Sequence, residues 1–125
     1  MKRLLLGLLL ALSLATPAAA AKPVHGTVTL NQADPHYGDV VNFHVTTDLD
    51  GSGVRVECSQ AGNVVAISST IWHYGTFEYD SENVGLSSPI WQGSAADCIA
   101  SLLKVDKVTQ NGFKTIAETA FTVAP

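Results

Sequence analysis

Oxygen-bearing side chains at alternate positions, followed by a glycine, give the chain one candidate metal site. Asp48, Asp50 and Ser52 occupy positions 1, 3 and 5 of a calcium-type loop, and Gly53 occupies position 6, where such a loop turns sharply. Position 12, which supplies a bidentate carboxylate in these loops, is Ser59. Aspartate and glycine are also typical of a turn between two strands. We therefore expect a turn with no metal and no cofactor, and keep the three ligands as a calcium candidate.

A second candidate site, for a bound ligand, is the run Trp72, His73 and Tyr74. Aromatic rings in exposed loops can stack on the faces of sugars. They also fill protein cores, since each buried ring removes about 150–250 Å² from water. Trp91, which precedes a glycine turn, is predicted to lie in the core, whereas Trp72 fits a core and a surface position equally well.

No combination of side chains in the sequence is typical of catalysis. The four histidines are scattered, with no pair spaced as in a metal-binding H-x-H or H-x-x-x-H motif: His25, His36, His44 and His73. His44 is predicted to point from its strand into solvent. Serine is frequent, but no Gly-x-Ser-x-Gly turn occurs to present one as a nucleophile. We therefore do not expect an enzyme.

Residues 1–21 have the pattern of a cleavable signal peptide. Lys2 and Arg3 precede an apolar run, Leu4–Ala15, and small residues follow at the expected cleavage site. The apolar run is too short to span a bilayer, which needs about 20 residues. The sequence predicts a protein that is secreted or extracytoplasmic, with the cell surface included, and that has no membrane span after signal cleavage.

Residues 22–125 would then form one domain of ordinary size. The whole chain has 7 basic and 11 acidic residues, and loss of Lys2 and Arg3 leaves 5 against 11, a net charge of −6. Nucleic acids and anionic membranes need a basic surface, so this balance argues against both as partners.

Cys58 and Cys98 are the only two cysteines, 40 positions apart. In an oxidising compartment such a pair favours one disulfide over a reactive thiol pair. Neither cysteine has a histidine or a further cysteine nearby, which makes a zinc site a poor alternative. Trp91 is expected to pack beneath the disulfide.

Short runs of alternating apolar and polar residues, separated by turn residues, predict an all-β domain of about seven strands. The clearest run places Val54, Val56 and Cys58 on the core face and Arg55 and Glu57 in water. An Asn-Gly pair at 111–112 predicts a hairpin turn into the closing strand.

The closing strand, residues 113–123, is a candidate sheet edge. Thr115, Thr119 and Thr122 lie among short apolar residues, a composition that leaves the strand available for pairing. Self-association through such an edge is therefore expected as one mode of partnership.

Three segments resemble strands of bacterial extracytoplasmic immunoglobulin-like domains. Tyr37–Val45 is similar to the second strand, Val54–Cys58 to the third, and Trp91–Leu102 to a late strand entered through a glycine turn after a tryptophan. With the closing strand, the resemblance covers nearly all of residues 24–124. It implies an immunoglobulin-like β-sandwich with one disulfide, preceded by the signal peptide.

The resemblance departs from antibody domains at the second cysteine, because Ala96 stands where a corner tyrosine would be. Two strands also precede Cys58. We therefore expect Cys58 on the third strand and Cys98 on the sixth, as neighbours in one sheet. A bond between two facing sheets stays open as the alternative.

The function implied by the resemblance is a non-catalytic exported module that acts in binding, adhesion or extracellular assembly, with a protein or a glycan as partner. One alternative is a carbohydrate-binding module that uses Trp72 and Tyr74. Another is a small secreted inhibitor or hydrolase.

Overall fold

A computed structural model describes residues 25–105 and 112–125, so the predicted signal peptide and Asn111 lie outside the described residues. These residues form an all-β structure with one disulfide. The strands are β1 (Gly26–Leu30), β2 (Val40–Val41), β3 (Phe43–Thr47), β4 (Gly51–Gln60), β5 (Asn63–Ser69), β6 (His73–Tyr74), β7 (Glu78–Asp80), β8 (Val84–Gly85), β9 (Ala96–Val105) and β10 (Phe113–Val123). Within the described part of the chain, no helix has the length and apolar character needed to cross a membrane.

Three sheets organise these strands. The largest has the order β10-β9-β4-β5, and β6 pairs with β4 beyond the end of β5. The second has the order β1-β3-β7, and β2 pairs with β8 in a third, two-stranded sheet. All of the strand pairs are antiparallel.

Alternation of side chains explains the long strands of the five-stranded sheet. In β4, Val54, Val56 and Cys58 are at most 2% exposed, whereas Arg55 is exposed and Glu57 is half-buried. Every second residue of a strand faces the same side, so the predicted core face of this segment is confirmed. Strand β9 follows the same rule, with Ala96, Cys98, Ala100 and Leu102 buried.

One apolar core joins the five-stranded and three-stranded sheets. Buried residues of β1 and β3 belong to the same cluster as those of β4 and β9. The Phe43 and Phe121 rings lie 5.9 Å apart between the two sheets, and the Thr119 hydroxyl donates a hydrogen bond to the backbone carbonyl of Val28. Trp91, at 5% exposure, lies in this core as predicted, in the cluster that also holds both cysteines.

The disulfide joins neighbouring strands of one sheet. Cys58 of β4 and Cys98 of β9 are direct partners in the antiparallel register, with Cα atoms 4.0 Å apart. Both cysteines are 1% exposed. The predicted pair and its placement within one sheet are therefore confirmed, and the alternative bond between facing sheets is wrong.

The described residues contain more strands than the seven expected, because three strands have only two residues each. The segment 39–47 alternates well but divides at Asn42, where the chain passes from β2 to β3 and so from one sheet to another. The cysteine strands are accordingly the fourth and ninth rather than the third and sixth.

Strand β10 is an edge of the five-stranded sheet, as the closing strand was expected to be. Its C-terminal end is covered, because Ala124 donates to the carbonyl of Pro35 and accepts a hydrogen bond from the backbone of Tyr37. Self-association through the rest of this edge stays a prediction.

Candidate functional site

The three calcium candidates take part in separate local contacts. Asp48 Oδ2 accepts a hydrogen bond from the backbone N–H of His25 at 3.3 Å, and Asp50 Oδ1 accepts one from the backbone N–H of Gly75 at 3.1 Å. Asp48 therefore ties the turn that leads into β4 to the residue before β1, and Asp50 ties it to the residue after β6.

Ser52 belongs to β4 and is completely buried. Its Oγ lies 2.6 Å from the Tyr79 hydroxyl, which ties β4 to β7 of the other sheet. Burial raises the pKa of Tyr79 above its usual value, although the hydrogen bond with Ser52 acts in the opposite direction. Among the described residues, no group of three or more histidine, cysteine or acidic side chains is placed to hold a metal ion. Calcium binding here stays a prediction.

The outer face of the five-stranded sheet, the side away from the shared core, carries an aromatic group formed by Trp72, Tyr74 and Phe113. Tyr74 lies across Gly51, where an added Cβ would be 3.0 Å from the Tyr74 Cε1 atom. Trp72 lies over Gly53 with a corresponding distance of 3.5 Å, and it stacks on Phe113 with ring centroids 5.3 Å apart.

Gly51 allows the Tyr74 ring to lie close to the backbone of β4, whereas an added Cβ at Gly53 would make ordinary van der Waals contact with Trp72. Both glycines point outward, because they alternate with the buried Ser52 and Val54. A side chain at Gly51 would push the Tyr74 ring outward. Aromatic rings placed over strand glycines shield backbone that would otherwise be exposed.

His73 faces the opposite side of the sheet from Trp72 and Tyr74. It pairs with the buried Ser52, its ring stacks on Tyr79 at 3.9 Å, and its Nε2 lies 2.7 Å from Glu82 Oε1. Burial raises the pKa of Glu82, but hydrogen bonds from its own backbone and from His73 outweigh it and leave the pKa below its usual value. The structure thus brings together two of the three predicted ligand-binding residues and separates His73 from them.

Beside the aromatic group, the outer face forms a concavity of about 450 Å³ on β4, β9 and β10. We call five of its side chains the polar floor: Arg55, Glu57, Asp97, Ser101 and Glu118. Gly53, which Trp72 covers, pairs with Leu103 of the concavity wall, so the aromatic group borders this concavity directly.

The polar floor is free of internal pairing. Within residues 25–105 and 112–125, the three ion pairs all involve histidines on other surfaces, and Arg55, Glu57, Ser101 and Glu118 make no side-chain hydrogen bond. Asp97 accepts one hydrogen bond, from Thr122, at 3.4 Å. The donors and acceptors of the floor are therefore directed to solvent or to a ligand.

The outer face of the three-stranded sheet is different, because its polar side chains bind one another. His44 Nδ1 lies 3.0 Å from Asp80 Oδ1 and Nε2 lies 3.1 Å from Glu78 Oε1, while Asn31 donates to Asp80 at 3.0 Å. The hydrogen bond with Asp80 raises the pKa of His44, and the same bond, aided by Asn31, lowers the pKa of Asp80. We call these four residues the His44 cluster.

Sequence reasoning placed Arg55 and Glu57 in water but did not identify the polar floor or Phe113 as part of a site. Alternation shows that a residue faces outward, and it does not show which outward residues of distant strands are neighbours. Here Arg55 lies beside Ser101, and Ser101 beside Glu118, only because β4, β9 and β10 pair in this register.

Comparison of the chain with protein-family models, with curated proteins and with solved structures finds no match. The immunoglobulin-like resemblance therefore stays a prediction, and the proposals below depend on the residues and geometry of this chain.

Proposed function

We propose that this chain is a non-catalytic exported module that acts in binding, adhesion or extracellular assembly through the outer face of its five-stranded sheet. The observation that carries the proposal is the polar floor, whose side chains make no ion pair within the described residues, beside the exposed aromatic group. Exposed aromatic rings together with hydrogen-bonding groups in a concavity are typical of binding surfaces.

An immunoglobulin-like β-sandwich is the proposed frame of this module. Support comes from two antiparallel sheets that share one core. A buried disulfide is consistent with a location outside the cytoplasm, where such bonds persist. Bacterial origin and cleavage after residue 21 belong to the same proposal.

The positions of the described histidines and Ser52 favour binding over catalysis. Both ring nitrogens of His44 contact carboxylates, and Nε2 of His73 contacts Glu82. Ser52 is fully buried against Tyr79. A serine hydrolase needs an accessible hydroxyl hydrogen-bonded to its base, and neither histidine is hydrogen-bonded to a serine in the described residues.

The proposal is tested with two matched surface variants. The full chain is expressed with export, the exported protein is purified and fluorescently labelled, and its retention on the exporting cells is measured by flow cytometry. Ser101→Arg places a bulky charge in the polar floor, and Thr29→Arg places the same side chain on the exposed face of the three-stranded sheet.

We expect Ser101→Arg to lower retention at least about tenfold, a loss on the scale of one central interface side chain. Thr29→Arg should bind as the wild type does. Melting curves confirm that both variants are folded. Equal retention of wild type and both variants, or turnover of a cell-surface polymer by the purified protein, would contradict the proposal.

A further inference from the structure

We propose that the outer face binds an uncharged oligosaccharide, which stacks on Tyr74 and hydrogen-bonds to the polar floor. This inference rests on the proposed function, because it names the class of ligand that the same face would take. It also assigns Trp72 a supporting position between Gly53 and Phe113.

Tyr74 offers an open ring surface on the outer face. Tyr74 rests on Gly51 with one side and is 67% exposed, so its other side faces solvent. Phe113 stacks on Trp72 and is 46% exposed. A sugar ring has an apolar face of C–H groups, which pack on the electron-rich face of an aromatic ring. Rings already held in place lose little conformational freedom when a ligand binds.

The polar floor matches the edge of a sugar ring, which carries hydroxyl groups that both donate and accept hydrogen bonds. Arg55 supplies donors only, the carboxylates of Glu57, Asp97 and Glu118 supply acceptors only, and Ser101 supplies both. Each sugar hydroxyl can therefore find a partner, as the burial of polar groups requires.

The net charge of the polar floor favours an uncharged sugar over an acidic one. Three carboxylates and one guanidinium give the floor a net negative charge, and the whole chain carries a formal charge of −4. Sugars with carboxylate, sulfate or phosphate groups would meet like charge at close range.

The size of the face fits a short chain of sugars rather than one. Gly51, beneath Tyr74, and Ser59, at the far side of the concavity, are separated on β4 by about 27 Å at ~3.4 Å per residue. The concavity of about 450 Å³ is also within the roughly 300–1,000 Å³ of ligand sites.

A protein partner fits this face less well. Ile67, Ile99 and Leu103 add apolar surface, but Arg55 and Glu57 lie among them on the same face. The centres of protein–protein interfaces are depleted of charged side chains, whereas four of the nine residues that line this concavity are charged.

The test is calorimetric titration of the exported protein with uncharged hexasaccharides: cellohexaose, xylohexaose, mannohexaose and maltohexaose. A galacturonic acid hexamer serves as the acidic counterpart. We expect at least one uncharged hexamer to bind, more tightly than its dimer, and the acidic hexamer to bind more weakly or not at all.

Tyr74→Ala should weaken binding of that hexamer about tenfold or more, because it removes the open ring. Phe77→Ala is the matched control, since Phe77 is 54% exposed but lies beside the three-stranded sheet. Arg55→Ala, at an exposed position of the polar floor, should also weaken binding of the hexamer. This variant tests the same site if Tyr74→Ala does not fold.

The outcomes separate this inference from the proposed function. Three results would overturn the proposal of an uncharged oligosaccharide ligand. They are no binding of any uncharged hexamer, tighter binding of the acidic hexamer, and an equal loss of affinity in Tyr74→Ala and Phe77→Ala. If Ser101→Arg still abolishes cell retention in that case, the binding module stands with another ligand. Hydrolysis of a bound hexamer would instead contradict the non-catalytic function and leave the sugar specificity standing.

Discussion

At the scale of single residues, the aromatic rings of the outer face lie over two glycines of β4. Gly51 and Gly53 are outward positions of β4; a Cβ at Gly51 would crowd the Tyr74 ring, and Trp72 lies over Gly53. The buried hydroxyl of Ser52 between them anchors the strand to Tyr79. The segment Asp48–Gly53, which has the pattern of a calcium loop, thus leads into the part of β4 that lies beneath Tyr74 and Trp72.

The His44 cluster makes a pH-dependent contribution to stability. Hydrogen bonding to Asp80 raises the pKa of His44 above 6.5, so this contribution is complete below pH 6.5 and is lost as the pH rises through the folded-state pKa. The pKa of Asp80 lies below 3.8, so its contribution is present above pH 3.8 and is lost as the pH falls further. The cluster is therefore most stabilising between pH 3.8 and 6.5.

Substitution His44→Gln is predicted to destabilise the protein at pH 5.5 and to have less effect at pH 8.5, because the charged fraction of the wild-type histidine falls as the pH rises. Urea unfolding at both pH values measures the difference. His36→Gln serves as the control, because in the described residues its ring makes no side-chain hydrogen bond or ion pair. A loss of stability at pH 8.5 as large as that at pH 5.5 would contradict the assignment.

At the scale of elements, β4 is the strand on which the others depend. One edge pairs with β9, and the other pairs first with β5 and then with β6. The inward side of β4 contributes Val54, Val56 and Cys58 to the core, and its outward side contributes Arg55 and Glu57 to the polar floor.

The long strands could be predicted because alternation over many residues is a strong signal. Val54, Val56 and Cys58, like Cys98, Ala100 and Leu102, follow the period of two expected of a half-buried strand. The two-residue strands β2, β6 and β8 are too short to show any period. They exist through tertiary contacts that no local pattern encodes.

The disulfide is predicted to contribute a large part of the stability. It closes a loop of 40 residues, for which the chain-entropy model gives about 4 kcal/mol. Reduction, or a Cys58→Ser/Cys98→Ser double substitution, should lower Tm by about 15 °C or more. Thermal unfolding with and without reductant measures this effect, with the double variant as a control for the reductant itself. An unchanged Tm after verified reduction would contradict the prediction.

At the scale of the whole molecule, the two outer faces differ in whether their polar side chains bind one another. On the three-stranded sheet, His44, Glu78, Asp80 and Asn31 bind one another. On the five-stranded sheet, Arg55, Glu57 and Glu118 make no side-chain hydrogen bond or ion pair within the part of the chain that the structure describes, and Tyr74 is exposed on the same face. This asymmetry places the proposed binding function on one side of the molecule.

The candidate site could be predicted only in part. The aromatic residues Trp72 and Tyr74 stood out by type, but their separation from His73 follows from the pairing of β6 with β4. Phe113 reaches Trp72 through the order β10-β9-β4, which joins segments far apart in the chain. The polar floor has the same origin, because strand register determines which outward residues meet.

Mapping of backbone amide shifts by NMR tests the central claim most directly, that the outer face of the five-stranded sheet is the binding surface. Isotope-labelled exported protein is titrated with the soluble polymer fraction released from the surface of the exporting cells. The shifts are expected to concentrate on β4, β6, β9 and β10, around the aromatic group and the polar floor. Shifts confined to β1, β3 and β7 would contradict it.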